Sequence, residues 1–405
     1  MNAAVVQPAS ADTPAIRPFR VNVPEADLID LRRRINAARL PEKETVTDFS
    51  QGVPLATVQK LAKYWGTEYD WRRCEARLNA VPNFITEIDG LDIHFIHVRS
   101  KHDNALPLIV SHGWPGSIVE QLKLIEPLTN PTEHGGTAAD AFHVVIPSMP
   151  GYGFSGKPTS PGWGPERIAR AWDTLMKRLG YTRYAAQGGD WGAIVVELMG
   201  AQAPQGLLGI HTNMPNVVPA AIDTAAFAGA PLPAGLSPDE KHAYEMLVSF
   251  YKNVYYALFM GTRPQTLTAL ADSPVGLATF MLDHDARSLE LIARSFNGVA
   301  EGLTRDDVLD NVTLFWLTNT GVSAARLYWE NKIAFFVPKG VKVPVVANAF
   351  PDDLFYAPKN WAEQAYPKLL RFTRLPKGGH FAAWEQPKLL SQEVRAGFRS
   401  LRNSR

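Results

Sequence analysis

The chain has 405 residues, of which 46% are hydrophobic and 20% charged, the composition of a globular protein with a large core. Its 41 basic and 40 acidic residues leave a net charge of +1, so nothing indicates a nucleic-acid partner. A single cysteine, Cys74, excludes an internal disulfide and a cysteine metal cluster, and it favours a reducing, cytoplasmic location.

The first part of the chain predicts an arm followed by helices. Residues 1–18 are rich in Ala, Pro, Ser and Thr and lack the basic and apolar segments of a signal peptide, so we expect a flexible arm. Apolar residues then recur at helical spacing after Pro24, over 57–66 and over 70–80, which predicts an N-terminal helical extension across 19–84. No run of about eighteen apolar residues occurs, so we expect a soluble protein without a membrane span.

A hairpin and an alternation of strands with helices come next. Residues 84–88 and 91–98 flank Asp89-Gly90, a strong hairpin turn. The later pattern is typical of an α/β fold with a mostly parallel sheet, whose first part covers 85–220 and whose second part covers 336–405. Residues 221–335 carry helical periodicity and no convincing strand, so they are predicted to form an inserted helical lid. The predicted core strands lie at 106–110, 142–147, 184–188, 207–211, 343–347 and 370–375.

One strand-to-helix junction places an acid among small residues, in the run Gly188-Gly189-Asp190-Trp191-Gly192-Ala193. This is the layout of a nucleophile elbow, with Asp190 where serine usually stands. Glycines on either side leave room for the tight turn that the elbow needs. A carboxylate in this place favours attack on a saturated carbon to give an enzyme ester. The alternative is that Asp190 only caps the following helix.

Further reactive groups follow other predicted strands. The backbone N–H groups of Trp114 and Trp191 could form an oxyanion hole, and Asp352 or Asp353 and then His380 come later in the chain. The order nucleophile, acid, histidine is that of the α/β-hydrolase fold. Since parallel strands end at one edge of a sheet, we expect these groups to converge there. His380, oriented by Asp353, would activate the water that opens the ester. Each residue taken alone could be a simple turn residue.

A glycine pattern competes with this interpretation. Gly151-x-Gly153-x-x-Gly156 matches the dinucleotide fingerprint and follows a strand. Residues 157–162 contain two prolines and do not open a helix, as that fingerprint requires. We therefore predict no nicotinamide or flavin cofactor, and we also expect no bound metal.

The lid is rich in tyrosine, a side chain that can protonate the alkoxide released when a strained ether opens. Most of these tyrosines should be packing residues with a polar end, and pattern alone does not choose a pair among them. The candidates are Tyr244, Tyr251, Tyr255, Tyr256 and Tyr328.

These motifs together resemble the epoxide hydrolases of the α/β-hydrolase superfamily, in the microsomal-type branch with an N-terminal extension. His112-Gly113-Trp114-Pro115 is similar to that family's HGxP oxyanion motif, and Gly188–Ala193 to its nucleophile motif. Gly151–Ser155 looks like its G-x-small-x-Ser/Thr motif, which accounts for the glycine pattern. The likeness covers nearly the whole chain, including residues 71–98 and 378–385.

The resemblance implies a cofactor-free epoxide hydrolase in which Asp190 attacks a ring carbon. It also implies that Tyr256 and Tyr328 protonate the oxygen, with Tyr255 as the alternative to Tyr256, and that His380 with Asp353 delivers water to yield a vicinal diol. Trp114, Trp191 and the apolar lid favour a lipophilic epoxide. Two rivals stay open, a haloalkane dehalogenase with the same nucleophile and a ligand-binding protein without turnover. Unlike for the membrane-bound relatives, we expect no N-terminal anchor helix here, and the extension could clasp a homodimer.

Overall fold

The computed structural model describes residues 15–402, and in that range nine strands form a single sheet. In chain order the strands are β1 Arg17–Phe19, β2 Asn83–Ile88, β3 Leu91–Val98, β4 Leu106–Ser111, β5 Phe142–Pro147, β6 Tyr184–Gly188, β7 Leu207–Thr212, β8 Val345–Ala349 and β9 Leu369–Arg374. Their order across the sheet is β1-β2-β3-β5-β4-β6-β7-β8-β9. The pairings β1–β2, β2–β3 and β3–β5 are antiparallel, whereas the pairings β5–β4, β4–β6, β6–β7, β7–β8 and β8–β9 are parallel. The predicted mostly parallel α/β architecture is therefore confirmed.

Helices flank the sheet and fill the long connection between β7 and β8. They are α1 Glu25–Asn36, α2 Leu55–Thr67, α3 Trp71–Asn79, α4 Ile118–Thr129, α5 Pro165–Arg178, α6 Trp191–Gln202, α7 Ala220–Phe227, α8 Pro238–Asn253, α9 Tyr255–Thr262, α10 Pro274–Leu282, α11 Ala286–Phe296, α12 Arg305–Leu317, α13 Gly321–Glu330, α14 Lys359–Ala365, α15 Ala382–Glu385 and α16 Pro387–Phe398. Short 3-10 helices cover Pro131–His134, Ala138–Asp140, Pro264–Ala271 and Arg399–Leu401.

The hairpin predicted at Asp89-Gly90 is confirmed. Ile88 pairs with Leu91, and the two turn residues have φ of 51° and 78°, as a tight hairpin turn requires. Strand β1 was not predicted, because three residues are too few to show an alternating pattern. It pairs antiparallel with β2 at the edge of the sheet. Residues 1–14 of the predicted arm lie outside the described residues. At the end of the predicted arm, Arg17 and Pro18 belong to β1 instead.

The N-terminal helices are tied to α12 by buried polar contacts. Trp65 in α2 donates its indole N–H to the hydroxyl of Thr313 over 2.9 Å, and Tyr69 donates its hydroxyl to Asp310 over 2.7 Å. On its other side, α12 reaches the loop after β4, since Asn311 Nδ2 donates to the carbonyl of Pro115 over 2.6 Å. Helix α12 thus connects the N-terminal helices to a loop at the carboxyl end of the sheet.

The connection between β7 and β8 is helical, as its periodicity predicts. Apart from an isolated bridge between Glu301 and Leu303, the described residues from α7 to α13 contain no strand pairing. Two of these helices begin with a capping box, Ser237 with Glu240 in α8 and Thr304 with Asp307 in α12. Across residues 15–402, every helix is too short or too polar to cross a bilayer.

Candidate active site

Asp190 occupies a strained turn between β6 and α6. Its backbone has φ 52° and ψ −130°, a conformation that costs a non-glycine residue energy and is typical of functional sites. A β-carbon on Gly188 would lie 2.1 Å from the carbonyl oxygen of Gly192, and one on Gly192 would lie 2.0 Å from that of Ser111. The tight turn therefore requires glycine at both positions. Asp190 stands at the N-cap position, yet its side chain makes no capping hydrogen bond, so the simple helix-cap interpretation fails.

The carboxylate of Asp190 is buried between the loop after β4 and the loop after β9. Trp114 donates its backbone N–H to Asp190 Oδ1 over 2.6 Å, and His380 Nε2 lies 3.4 Å from Asp190 Oδ2. Burial opposes ionisation, but the hydrogen bond and charge of His380, together with the backbone N–H of Trp191, outweigh it and lower the pKa of Asp190. Asp190 is therefore a carboxylate at neutral pH, and the N–H groups of Trp114 and Trp191 both point to its oxygens.

His380 lies between two carboxylates. Its Nδ1 is 2.8 Å from Asp353 Oδ1, and Asp353 is buried, whereas the Asp352 side chain is half exposed and faces Arg287. Asp353 is thus the acid that contacts the histidine. Burial disfavours the charged imidazole, but the charge of Asp353 and the hydrogen bonds to both acids raise the pKa of His380 well above its usual range. At neutral pH the site holds an imidazolium between two carboxylates.

The loop after β4 is fixed by His112. Met149 donates its backbone N–H to His112 Nε2 over 3.1 Å, and burial lowers the pKa of His112 to about 4. His112 is thus a neutral imidazole that joins this loop to the end of β5. That contact and the Asn311 bond to Pro115 hold the Trp114 N–H beside Asp190.

Two tyrosines from the helical connection lie against the tryptophans of the site. Tyr256 stacks on Trp114 with ring centroids 4.8 Å apart, and Tyr328 meets Trp191 edge-on at 4.8 Å. The two tyrosine rings are 6.2 Å apart. Burial, and to a smaller extent the charge of Asp190, raise the pKa of both tyrosines well above the usual range, so both keep their protons.

The other lid tyrosines differ from this pair in their hydroxyl partners or their exposure. Tyr244 donates its hydroxyl to the carbonyl of Ala230, and Tyr251 donates to Asp223 over 2.6 Å. Tyr255 is 70% exposed, whereas Tyr256 is only 7% exposed, although the two are adjacent in α9. Of this adjacent pair, only Tyr256 faces Asp190.

Tyr255 and Tyr256 offer a matched pair of substitutions. Tyr256→Phe removes a hydroxyl beside the nucleophile and is expected to lower kcat/KM on epoxides by about 100-fold, the usual contribution of a general acid. Tyr255→Phe removes an exposed hydroxyl and should leave kcat/KM unchanged. Steady-state kinetics of both variants measure this difference, and equal losses in the two would contradict the assignment of Tyr256.

Asp190 opens onto a cavity of about 320 Å³ enclosed largely by apolar and aromatic side chains. Asp190, Trp191, Tyr256 and Tyr328 line one part of it. The rest of the wall comes from the helices and from loops near β8, through Asp223, Phe227, Phe250, Tyr251, Val254, Ala257, Leu258, Asn331, Ala334, Phe335, Phe336 and Leu354. The carboxylate of Asp190 and the phenols of Tyr256 and Tyr328 therefore line one small cavity whose remaining wall is largely apolar.

Comparison with known proteins places this arrangement in a family. Residues 16–121 match the family model described as epoxide hydrolase N terminus, and residues 107–249 match the model of the alpha/beta hydrolase fold. A putative epoxide hydrolase of Stigmatella aurantiaca (strain DW4/3-1) is 50% identical over 389 residues, covering 96% of this chain and 86% of that protein. The chain belongs to the epoxide hydrolase family. Epoxide hydrolase 1 of Oryctolagus cuniculus is 35% identical, over 96% of this chain and 90% of its own.

The fold comparison agrees with this membership. The crystal structure of juvenile hormone epoxide hydrolase from the silkworm Bombyx mori superposes with a TM-score of 0.83 at 29% identity, covering 96% of this chain and 95% of that one. The α/β-hydrolase fold predicted for this epoxide hydrolase family member is confirmed. The glycine pattern at Gly151–Gly156 precedes an irregular segment, and the next helix, α5, begins only at Pro165, so the helix of a dinucleotide site is absent there.

Sequence reasoning missed polar groups that support the site of this epoxide hydrolase family member. Glu385 accepts the backbone N–H groups of Gly379 and Phe381 over 2.9 and 3.0 Å, which fixes the loop around His380. Burial raises the pKa of Glu385 to about 7. His284 is 3% exposed and its ring stacks on His380. The only signal for His284 is an acid on each side of a histidine just before a helix N-terminus, which is a weak one.

One group of donor atoms among the described residues has the proximity of a metal site. Asp190, His284 and His380 each offer one ligand atom, and these atoms lie within 4.8 Å of one another. Imidazole nitrogen and carboxylate oxygen suit Zn²⁺, which prefers ligands at about 2.0–2.2 Å. The same atoms are those that the ester chemistry would use, and the expectation of a metal-free enzyme stays a prediction.

Proposed function

We propose that this protein hydrolyses lipophilic epoxides to vicinal diols through a covalent ester on Asp190. The observation that carries the proposal is the shared cavity, in which a carboxylate faces two neutral phenols. A carboxylate nucleophile needs no base, and a ring-opened epoxide needs a proton donor for its alkoxide. The names of the relatives as epoxide hydrolases support the same activity.

In the first step an oxygen of Asp190 attacks a ring carbon and the carbon–oxygen bond of the epoxide breaks. Tyr256 and Tyr328 are suited to hold the epoxide oxygen and to transfer a proton to it as it leaves. Their raised pKa values keep the donor protons in place before the reaction, and transfer becomes favourable only as a strongly basic alkoxide develops. The product is an ester that joins Asp190 to the hydroxyalkyl group.

The second step uses His380, whose charge depends on Asp190. The hydrogen bond that His380 donates to Asp190 and the charge of Asp190 are among the causes that raise the pKa of His380. Ester formation removes that charge, so the pKa of His380 falls and the imidazolium gives up its proton to the tyrosinate that ring opening leaves behind. Neutral His380 is then a base. His380 then takes a proton from water, whose oxygen attacks the ester carbon, while Trp114 and Trp191 donate N–H bonds to the carbonyl oxygen. Collapse of this intermediate releases the diol and leaves Asp190 as a carboxylic acid, whose proton passes to His380 and restores the resting pair.

Substrate class follows from the cavity wall. The cavity has a volume of about 320 Å³ and largely aromatic and aliphatic walls, which suit an apolar substituent on the epoxide rather than a charged one. A haloalkane dehalogenase would share the Asp190 ester but has no use for a pair of phenolic acids. The family comparisons do not favour that alternative, nor a ligand-binding protein without turnover.

The test is a single turnover of excess enzyme in H₂¹⁸O with a styrene-type epoxide. Because the nucleophile in the ester mechanism is a carboxylate oxygen, the first diol should contain no label, and the ¹⁸O should appear in the peptide that carries Asp190. Direct attack by water would instead put one ¹⁸O in every diol molecule. Mass spectrometry of diol and peptide distinguishes the two, and labelled first-turnover diol would refute the ester mechanism.

We also propose the division of the chain into an extension at 19–84, core segments at 85–220 and 336–405, and a lid at 221–335. The bounds of α1 to α3 and of α7 to α13 support it. A cytoplasmic, soluble protein and a homodimer stay proposals from the sequence.

A further inference from the structure

A second histidine lies at the reacting groups without a role in the steps above. His284 lies between α10 and α11, and its ring stacks on His380 with centroids 4.2 Å apart and an interplanar angle of 27°. It is 3% exposed and also contacts the rings of Trp114 and Tyr256. One ring nitrogen of each histidine and one carboxylate oxygen of Asp190 lie within 4.8 Å of one another.

The orientation of His284 is fixed by its neighbour in the chain. His284 Nδ1 is 2.8 Å from Asp285 Oδ2, while Asp285 Oδ1 accepts the backbone N–H of Ser288 over 2.8 Å and so caps α11. The carboxylate selects the tautomer with its proton on Nδ1, which leaves a lone pair on Nε2. Among residues 15–402 no group hydrogen-bonds to that buried Nε2. A buried acceptor of this kind costs stability, so its retention calls for a function.

The two rings differ in their carboxylate neighbours. His380 lies between Asp190 and Asp353, whereas His284 contacts Asp285. A neutral ring that keeps its Nδ1–H on its acid has a lone pair on Nε2. A nitrogen of each ring lies within 4.8 Å of a carboxylate oxygen of Asp190, so the pair can offer two acceptors beside the ester.

We propose that His284 is the second acceptor for the hydrolytic water and so orients it for attack on the Asp190 ester. The inference rests on the proposed ester mechanism. One water O–H donates to His380 Nε2, the other to His284 Nε2, and the oxygen lone pair is directed at Cγ of Asp190. As the new carbon–oxygen bond forms, the proton moves to His380, which returns it to the leaving alkoxide when the ester bond breaks. His284 gains no proton and acts by position.

The test uses His284→Phe, which keeps an aromatic ring to stack on His380 but removes both nitrogens. Excess enzyme is mixed with an aryl epoxide, the reaction is quenched at a series of times, and intact mass gives the ester fraction. Ester formation should stay within about twofold of the parent rate, while ester hydrolysis should slow by about 100-fold, in line with the loss of one orienting group. The ester should therefore build up in the variant and not in the parent.

Asp285→Asn is the second variant. Its amide oxygen can still cap α11, but its NH₂ group cannot accept a hydrogen bond from the Nδ1–H of His284. It should slow hydrolysis selectively as well, because His284 then adopts the tautomer with a proton on Nε2. Parent-like hydrolysis in both variants, or equal loss of ester formation and hydrolysis, would overturn the inference. Absence of an ester even in a His380→Gln background would instead overturn the ester mechanism, and the inference with it.

Discussion

His380→Gln is expected to convert the protein into a trap that stops after one chemical step. Asp190 still attacks the epoxide, but no base is left to activate water, so we expect ester hydrolysis to fall by at least about 10⁴-fold, the usual loss when a catalytic histidine is removed. Intact mass should rise by the mass of the whole epoxide, and the adduct should map to the peptide that contains Asp190.

The control for the trap is Asp352→Asn, on the loop that follows β8. Asp352 is adjacent to Asp353 in sequence, but its side chain is half exposed and does not reach His380, so this variant should turn over like the parent. A panel of aryl epoxides, alkyl epoxides and haloalkanes gives the substrate class at the same time. Adducts formed with haloalkanes alone would reverse the proposed function, and full turnover by His380→Gln would contradict the role given to the histidine.

Asp190→Asn should eliminate both ester and diol. The amide fits the same space and can still accept the N–H of Trp114, but it is not a nucleophile, so turnover should fall by at least about 10⁴-fold. The substitution also removes one of the two carboxylates that raise the pKa of His380, and that pKa should fall. Diol formation is followed by chromatography, and the histidine titration by NMR.

A matched control exists within the same cavity. Asp223 also lines the wall, but its carboxylate accepts the hydroxyl of Tyr251 over 2.6 Å. Asp223→Asn should therefore leave the chemical step intact and change mainly KM. If Asp223→Asn abolished turnover while Asp190→Asn retained it, the nucleophile would have to be reassigned.

Much of this architecture can be predicted because it depends on residues that are adjacent in the sequence. The Asp89-Gly90 turn, the strand-and-helix alternation and the small residues around Asp190 each depend on neighbours in sequence, and the structure has all three. The convergence of Trp114, Asp190, Asp353 and His380 follows from a general property of parallel sheets, whose strands end at one edge.

Other features depend on contacts that no local pattern records. Tyr255 and Tyr256 are identical residue types one position apart, and only the packing of α9 on Trp114 decides which ring is buried. His284 lies 96 positions before His380 in the printed sequence and meets it only because the connection folds back over the sheet. Strand β1 is visible only through its pairing with β2.

The contacts of α12 link the N-terminal helices to the loop that carries Trp114. Trp65 and Tyr69 hold α12, and α12 holds Pro115 through Asn311, next to the N–H that would stabilise the oxyanion. The extension is therefore not a module that protein engineers could delete to obtain a smaller enzyme. Random mutagenesis for activity or selectivity should sample these distant helices as well as the cavity wall, because we expect a change there to move the N–H of Trp114 without touching the substrate.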